Sequence, residues 1–252
     1  MSDTWGAGVA GRTALVVGAS SGIGLSTARR LAEAGARVHG AARRQVRDAP
    51  FTSHSVDVMD RAAMQQLIAT VGPLDVLLYV AGTNVPNRRL DQVGSDDFDE
   101  MVGVNLAGAF YAIKAALPGL RERRGDVLVV ASISGQWPDA SGPAYQAAKA
   151  GVIGLVRACD LEEHAGGVRF SVINPGLVDT PILDKRPVKP PLEVLAQALK
   201  PEDVAEACLF MLSLPAHVHV PELSILPGRL QAFGDSNTAH RFPASQGSAP
   251  PP

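Results

Sequence analysis

Cysteine is scarce in this chain: among 252 residues there are only Cys159 and Cys208. With no CxxC pair and both thiols in helix-like segments, a disulfide framework and a cysteine zinc site are excluded, and buried thiols in a reducing compartment are expected. Net charge is also nearly absent. Basic residues number 23 against 25 acidic ones, a formal charge of -2, so no chain-wide field would hold nucleic acid or an anionic membrane. Long apolar runs are missing too. The longest charge-free stretch, Thr13 to Ala28, is broken by glycine and serine and falls short of the roughly 18–20 residues of a membrane span. Met1 to Gly11 carries Asp3 and no basic segment ahead of an apolar one, so no secretion signal is read there and a cytoplasmic location is expected. The six histidines are scattered, and the one close pair, His217 and His219, has no third ligand at metal spacing; no metal is expected. What remains, 46% hydrophobic and 19% charged residues, suits a globular chain and excludes collagen, coiled coil and global disorder.

Apolar runs alternate with helix-period segments along most of the length. Strands are expected at Ala14–Val17, Arg37–Ala41, Phe51–Val56, Asp75–Val80, Asp126–Ala131, Arg169–Ile173 and Glu222–Leu226. Helices are expected between them at Ile23–Ala34, Arg61–Thr70, Ser95–Arg124, Pro143–His164, Leu192–Leu199 and Glu202–Leu212. Strands that read as continuous apolar runs are buried on both faces, the mark of a parallel sheet between helix layers. The expected architecture is therefore a single doubly wound α/β domain over residues 1–233, with a central, mostly parallel seven-stranded sheet. Most of the 19 prolines fall after Asn174. Four of them make 181–199 an irregular flap that joins neither helix layer nor sheet, apart from the short helix at its end. The serine-, proline- and glycine-rich tail 234–252 is expected to be flexible.

After the first strand comes Gly18-Ala19-Ser20-Ser21-Gly22-Ile23-Gly24 and then a helix. Glycines there allow a sharp turn and a close backbone approach to a pyrophosphate, whose charge the helix N-terminus stabilises. A first strand-to-helix junction is where dinucleotides bind in such sheets. At the end of the second strand the sequence reads Ala42-Arg43-Arg44, with no acidic residue to accept from an adenosine ribose 2′-hydroxyl. Basic residues there suit a 2′-phosphate, so NADP(H) is the expected cofactor. Asp57 and Val58, after the third strand, fall where an adenine amine and ring would lie.

Tyr145 and Lys149 are four apart in a helical segment and share a face. For a phenol that titrates near 10 to serve as acid and base near neutrality it must shift by about three units, and a nearby ammonium supplies an effect of that order. Ser132 lies at the end of the fifth strand, Asn105 lies within the long helix, and Asn174-Pro175-Gly176-Leu177-Val178-Asp179-Thr180 follows the sixth strand. Together these ordered elements resemble the short-chain dehydrogenase/reductase family, in its branch of about 250 residues, across roughly Gly11 to Leu230. The resemblance implies a Rossmann-like fold and a catalytic set of Asn105, Ser132, Tyr145 and Lys149. In that set Tyr145 is the general acid/base, Lys149 lowers its pKa and holds the nicotinamide ribose, Ser132 binds the substrate oxygen, and Asn105 holds a relay water. It implies cofactor contacts from Gly18, Ser20, Ser21, Gly22, Ile23, Gly24, Arg43, Arg44, Asp57, Val58, Ala81, Gly82, Tyr145, Lys149, Pro175, Gly176, Val178 and Thr180. Substrate contacts are expected from Ser132, Ser134, Trp137, Tyr145, Ile182 and Leu183.

Three departures from the family pattern stand out. Val17 occupies a usual threonine position, Val80 replaces the second asparagine of the element Tyr79-Val80-Ala81-Gly82, and the glycine pair after the last strand is missing. The first two concern bracing of the sheet more than chemistry. The expected activity is NADP(H)-dependent interconversion of a ketone and a secondary alcohol, with a small carbonyl or alcohol compound as partner, no nucleic acid and no membrane. On family grounds a homodimer or homotetramer is expected, packed through alanine-rich helices such as that around Ala144 to Gly151. The alternative is a cofactor-binding redox sensor or complex subunit without turnover, which would need only the cofactor half of the site.

Overall fold

The structure is a computed structural model that describes residues 7–234. Seven strands form one sheet: β1 (Thr13–Val17), β2 (Arg37–Ala42), β3 (Thr52–Ser55), β4 (Val76–Tyr79), β5 (Asp126–Val130), β6 (Arg169–Pro175) and β7 (Glu222–Ile225). Their spatial order is β3-β2-β1-β4-β5-β6-β7, and every neighbouring pair is parallel. The helices are α1 (Gly22–Glu33), α2 (Arg61–Val71), α3 (Ser95–Val102), α4 (Gly108–Arg123), α5 (Pro143–Glu163), α6 (Leu192–Leu195) and α7 (Pro201–Ser213). Of the tail expected at 234–252, all but Gly234 lies outside the described residues.

Side-chain alternation along the central strands feeds two separate cores. Leu15, Val17, Leu77, Tyr79, Val127 and Val129 point into the layer shared with α2, α4 and α5. Ala14, Val16, Val76, Leu78, Leu128 and Val130 point the other way, into the layer shared with α1 and α7. Continuous apolar runs are therefore required in the centre of the sheet. They are not required at its edge: β3 reads Thr-Ser-His-Ser and is half-exposed, because it pairs only with β2.

By length and composition alone, Ser95–Arg123 could cross a membrane. In the fold its residues Ala109, Ala112, Ile113, Ala116 and Leu120 are buried in the core beneath the sheet. The single helix expected at 95–124 is interrupted by a π-helical turn at Gly103–Ala107. Two contacts with β4 accompany the interruption. The Tyr79 hydroxyl donates to the Val104 carbonyl at 2.5 Å, and Gly108 packs so close that a Cβ there would sit 2.5 Å from that hydroxyl.

The strand order reverses between β1 and β4, so the chain leaves their C-terminal ends in opposite directions and opens a crevice. The flap roofs part of it and is more ordered than its prolines imply. Pro181–Lys185 is a 3-10 turn, and α6 is only Leu192–Leu195, shorter than the expected 192–199. Contrary to expectation the flap does join extended structure. Val178 and Leu199 form a parallel bridge, with the Asp179 amide donating to the Leu199 carbonyl at 2.8 Å and the Leu199 amide to the Leu177 carbonyl at 3.0 Å. Leu183, Val194 and Ala198 bury against Leu177 and Leu230, an apolar cluster of the flap's own.

Candidate active site

A cavity of about 710 Å³ opens at the C-terminal ends of β1, β2, β4, β5 and β6. Its first wall is the turn from β1 into α1. Gly18 has φ +99°, and a Cβ there would lie 2.6 Å from the Ala81 amide nitrogen. A Cβ on Gly24 would lie 2.2 Å from the Gly18 carbonyl oxygen, so only glycine permits this tight return. The N-cap residue Ser21 makes no side-chain capping bond, and the first turn of α1 carries no acidic residue. The opening amides of a helix have no partners within it. Here they face a cavity wall without a competing carboxylate, and that donor set fits a dinucleotide pyrophosphate.

Beyond the end of β2, Arg43 and Arg44 are exposed at the cavity rim. Asp57 and Val58 line the cavity after β3, with Asp57 Oδ1 accepting from the Met59 amide at 2.9 Å. Ala81 and Gly82 after β4, and Pro175, Gly176, Val178 and Thr180 after β6, complete the expected cofactor wall. Every residue expected at the cofactor lines this one cavity.

The expected reacting groups meet on the same surface. Ser132 is the N-cap of the turn Ile133–Gly135 after β5, its Oγ accepting from the Ser134 amide at 3.1 Å. The same hydroxyl acts on the Tyr145 phenol and favours its ionised form. Tyr145 and Lys149 project from the first turns of α5, and the Lys149 ammonium lies 5.7 Å from the Tyr145 ring centre. Lys149 is buried, and its Nζ donates to the Val130 carbonyl at 3.2 Å.

The electrostatics differ from the sequence expectation. Burial pushes the Tyr145 phenol up to about 12. The Ser132 hydroxyl and the Arg88 and Arg186 charges pull the other way, while Asp139 adds to the rise. Lys149 was expected to lower this pKa, but its ammonium is turned to a carbonyl and is itself pushed down to about 8 by burial. Loss of water around the phenolate outweighs the cation.

Two expected residues stand apart. Trp137 does not line the cavity; its ring packs edge-on against Phe233, with centres 5.0 Å apart. Asn105 is buried behind the cavity wall. Its Nδ2 donates to the Thr83 and Met101 carbonyls at 3.0 and 2.9 Å, and its Oδ1 accepts from the Thr83 amide at 3.2 Å. Its amide is thus engaged in tying the π-helical turn to the loop after β4, where the sequence reading expects it to hold a relay water. Ser134, Ile182 and Leu183 do line the cavity.

The sequence reading missed Arg88, Asp139 and Gln231. Ser132 Oγ donates to Ser134 Oγ at 3.1 Å, and Ser134 Oγ to Asp139 Oδ2 at 2.6 Å, so a line of hydroxyls runs from the reacting surface to a carboxylate. Gln231 Oε1 accepts from the Leu177 amide at 2.8 Å and fills the space a side chain at Gly176 would need. Neither stands at a spacing that singles it out; both arrive through loops. Arg88 had only its charge, shared with the adjacent Arg89, as a signal.

A family model described as short chain dehydrogenase matches residues 12–190. An uncharacterized oxidoreductase of Staphylococcus aureus is 34% identical over 231 residues, covering 86% of this chain and 97% of that protein. An NADP-dependent 3-hydroxy acid dehydrogenase of Salmonella typhi is 32% identical, with 84% and 94% covered. The solved closed form of a serine dehydrogenase complexed with NADP+ superposes with a TM-score of 0.78 at 31% identity, covering 84% of this chain and 94% of that one.

Proposed function

The chain belongs to the short-chain dehydrogenase family, and from that premise we propose that it is an NADP(H)-dependent oxidoreductase that interconverts a ketone and a secondary alcohol. The observation that carries this reading is the convergence of Ser132, Tyr145 and Lys149 on the cavity whose other wall is the glycine turn. When bound, the reduced nicotinamide supplies the hydride that the carbonyl carbon accepts. Tyr145, protonated at neutral pH because burial holds its pKa high, donates its proton to the carbonyl oxygen. In the oxidative direction it takes the hydroxyl proton back. Ser132 donates to the same oxygen as negative charge develops. Lys149, beside Gly82 and below the phenol, holds the ribose hydroxyls and replaces the proton that Tyr145 gives up. Asn105 is a positioning residue, fixing the π-helical turn against Thr83.

Arg43 and Arg44 at the rim, without an acidic residue at the end of β2, support NADP(H) over NAD(H). The free thiols Cys159 and Cys208 support a reducing cytoplasm. Exposed Phe110 and Leu161 on α4 and α5 support a homodimer or homotetramer built on those helices. The test is cofactor preference, read as oxidation of NADPH and NADH across a panel of carbonyl compounds. One charge-assisted phosphate contact is worth about 1.5–3 kcal/mol, so kcat/KM should favour NADPH by about ten- to a hundredfold, and Arg43→Glu should erase most of that preference. A wild-type protein that prefers NADH contradicts the cofactor assignment.

A further inference from the structure

Arg88 and Arg186 line the cavity beside Tyr145, and no carboxylate forms an ion pair with either among the described residues. Arg88, on the loop after β4, is 9% exposed. Its Nε donates to the Val85 carbonyl at 2.8 Å and its Nη2 to the Lys185 carbonyl of the flap at 3.0 Å. Its Nη1 has no hydrogen-bond partner among the described residues, and neither does any part of the half-buried Arg186 guanidinium. Lys185 adds a third cation, its Nζ donating to Thr83 Oγ1 at 2.7 Å. The acidic group facing them is Asp139, and both its oxygens are engaged elsewhere. Oδ2 accepts from Ser134 Oγ at 2.6 Å and Oδ1 from the Ser141 amide at 2.8 Å. Burial weakens the hold of Arg88 and Arg186 on their protons, and Arg186 adds repulsion at Arg88. Two carbonyls and the charge of Asp139 offset part of the cost of holding these cations here, and the remaining guanidinium nitrogens are left to meet a group in the cavity.

We propose that Arg88 and Arg186, with Lys185 at the rim, clamp an anionic group on the substrate, so that the compounds reduced are short oxo acids or carbonyl compounds bearing a phosphate. The proposal rests on the reading of Tyr145 as the acid at the reacting oxygen and adds the chemistry of the substrate's other end. Both arginines and Tyr145 line the same cavity, so an anion held by the arginines lies within reach of a small substrate's carbonyl at the phenol. The planar guanidinium fork matches the paired oxygens of a carboxylate or phosphate. Held there, the anion bridges the loop after β4 and the flap, the two segments that the Arg88 bond to Lys185 already joins.

The test compares kcat/KM with NADPH in two matched pairs: 3-oxobutanoate against its methyl ester, and dihydroxyacetone phosphate against dihydroxyacetone. The charged member of at least one pair should exceed the neutral one by about tenfold or more, and the larger ratio tells carboxylate from phosphate. In Arg186→Met the ratio should fall toward one. Lys185→Met should lower it by less, and both substitutions lie on the flap, so the outcome does not depend on whether Arg88→Met folds. Parity between charged and neutral substrates in the wild type overturns the clamp. Calorimetry with butanoate and with inorganic phosphate on the NADP+-loaded protein separates the two claims. If no pair is turned over but one anion binds saturably and loses that binding in Arg186→Met, the reductase reading fails and the clamp stands. If there is neither turnover nor anion binding, the clamp falls as well.

Discussion

Lys149 shows in one side chain how folding and function pull apart. It is buried, has one hydrogen bond to a carbonyl, and burial lowers its pKa from the usual 10.5 to about 8. Between those two values the unfolded chain binds more protons than the folded one, so stability rises with pH across that window. Below about pH 8 the cost of burying the charged amine is felt in full. Lys149→Met should therefore raise the melting temperature at pH 7, by an amount that shrinks toward pH 10, while turnover is lost. Calorimetry at the two pH values checks this, and an equal shift at both would contradict the burial argument. Tyr145 teaches the complementary lesson. Its spacing from Lys149 and Ser132 is legible in the sequence, because a helix repeat places the first two on one face. Its pKa is not legible, since the direction depends on how much water the phenol loses and where the ammonium points. The sequence suggests a lowered value; packing produces a raised one, which suits a group that must hold its proton until a carbonyl arrives.

Elements are legible in the sequence where periodicity is strong and are hidden where tertiary contacts decide. The central strands had to be continuous apolar runs because two cores share them, whereas β3 at the edge is polar and His39 and His54 stack across its pairing with β2. The break at Gly103–Ala107 has no local signal. It is accompanied by the Tyr79 hydroxyl on Val104 and by Asn105 bonding to Thr83, partners 25 and 22 residues away. The flap was the largest departure. Its prolines do keep it out of long helix and sheet, yet Leu199 pairs with Val178 and three of its apolar side chains make a small core. Its ends are thus secured by contacts within the chain itself. Amide exchange should show Asp179 and Leu199 protected without any ligand, because both donate to carbonyls across the bridge, while Val188 and Lys189 exchange rapidly. Exchange at Leu199 as fast as in an unfolded chain would contradict the bridge.

At the scale of the whole molecule, the site exists only because distant segments end at one edge of the sheet. The reversal of strand order between β1 and β4 leaves the glycine turn, the Ala81-Gly82 loop, Ser132 and Thr180 around one cavity. Sequence order alone made this convergence readable, since parallel strands joined by helices all finish on the same side. The substrate end was less readable because Arg88, Asp139 and Gln231 reach it through loops whose paths no repeat dictates. Ser132, Tyr145 and Lys149 nevertheless carry the central claim, that this cavity transfers a proton to a carbonyl oxygen as hydride arrives at its carbon. The most direct test is the steady-state rate of NADPH oxidation by Tyr145→Phe, with NADPH affinity measured in parallel by fluorescence titration. The account predicts a kcat lower by about a hundredfold or more with nearly unchanged NADPH affinity, as expected when a general acid is removed and the fold is kept. Turnover at the wild-type rate in Tyr145→Phe would contradict it.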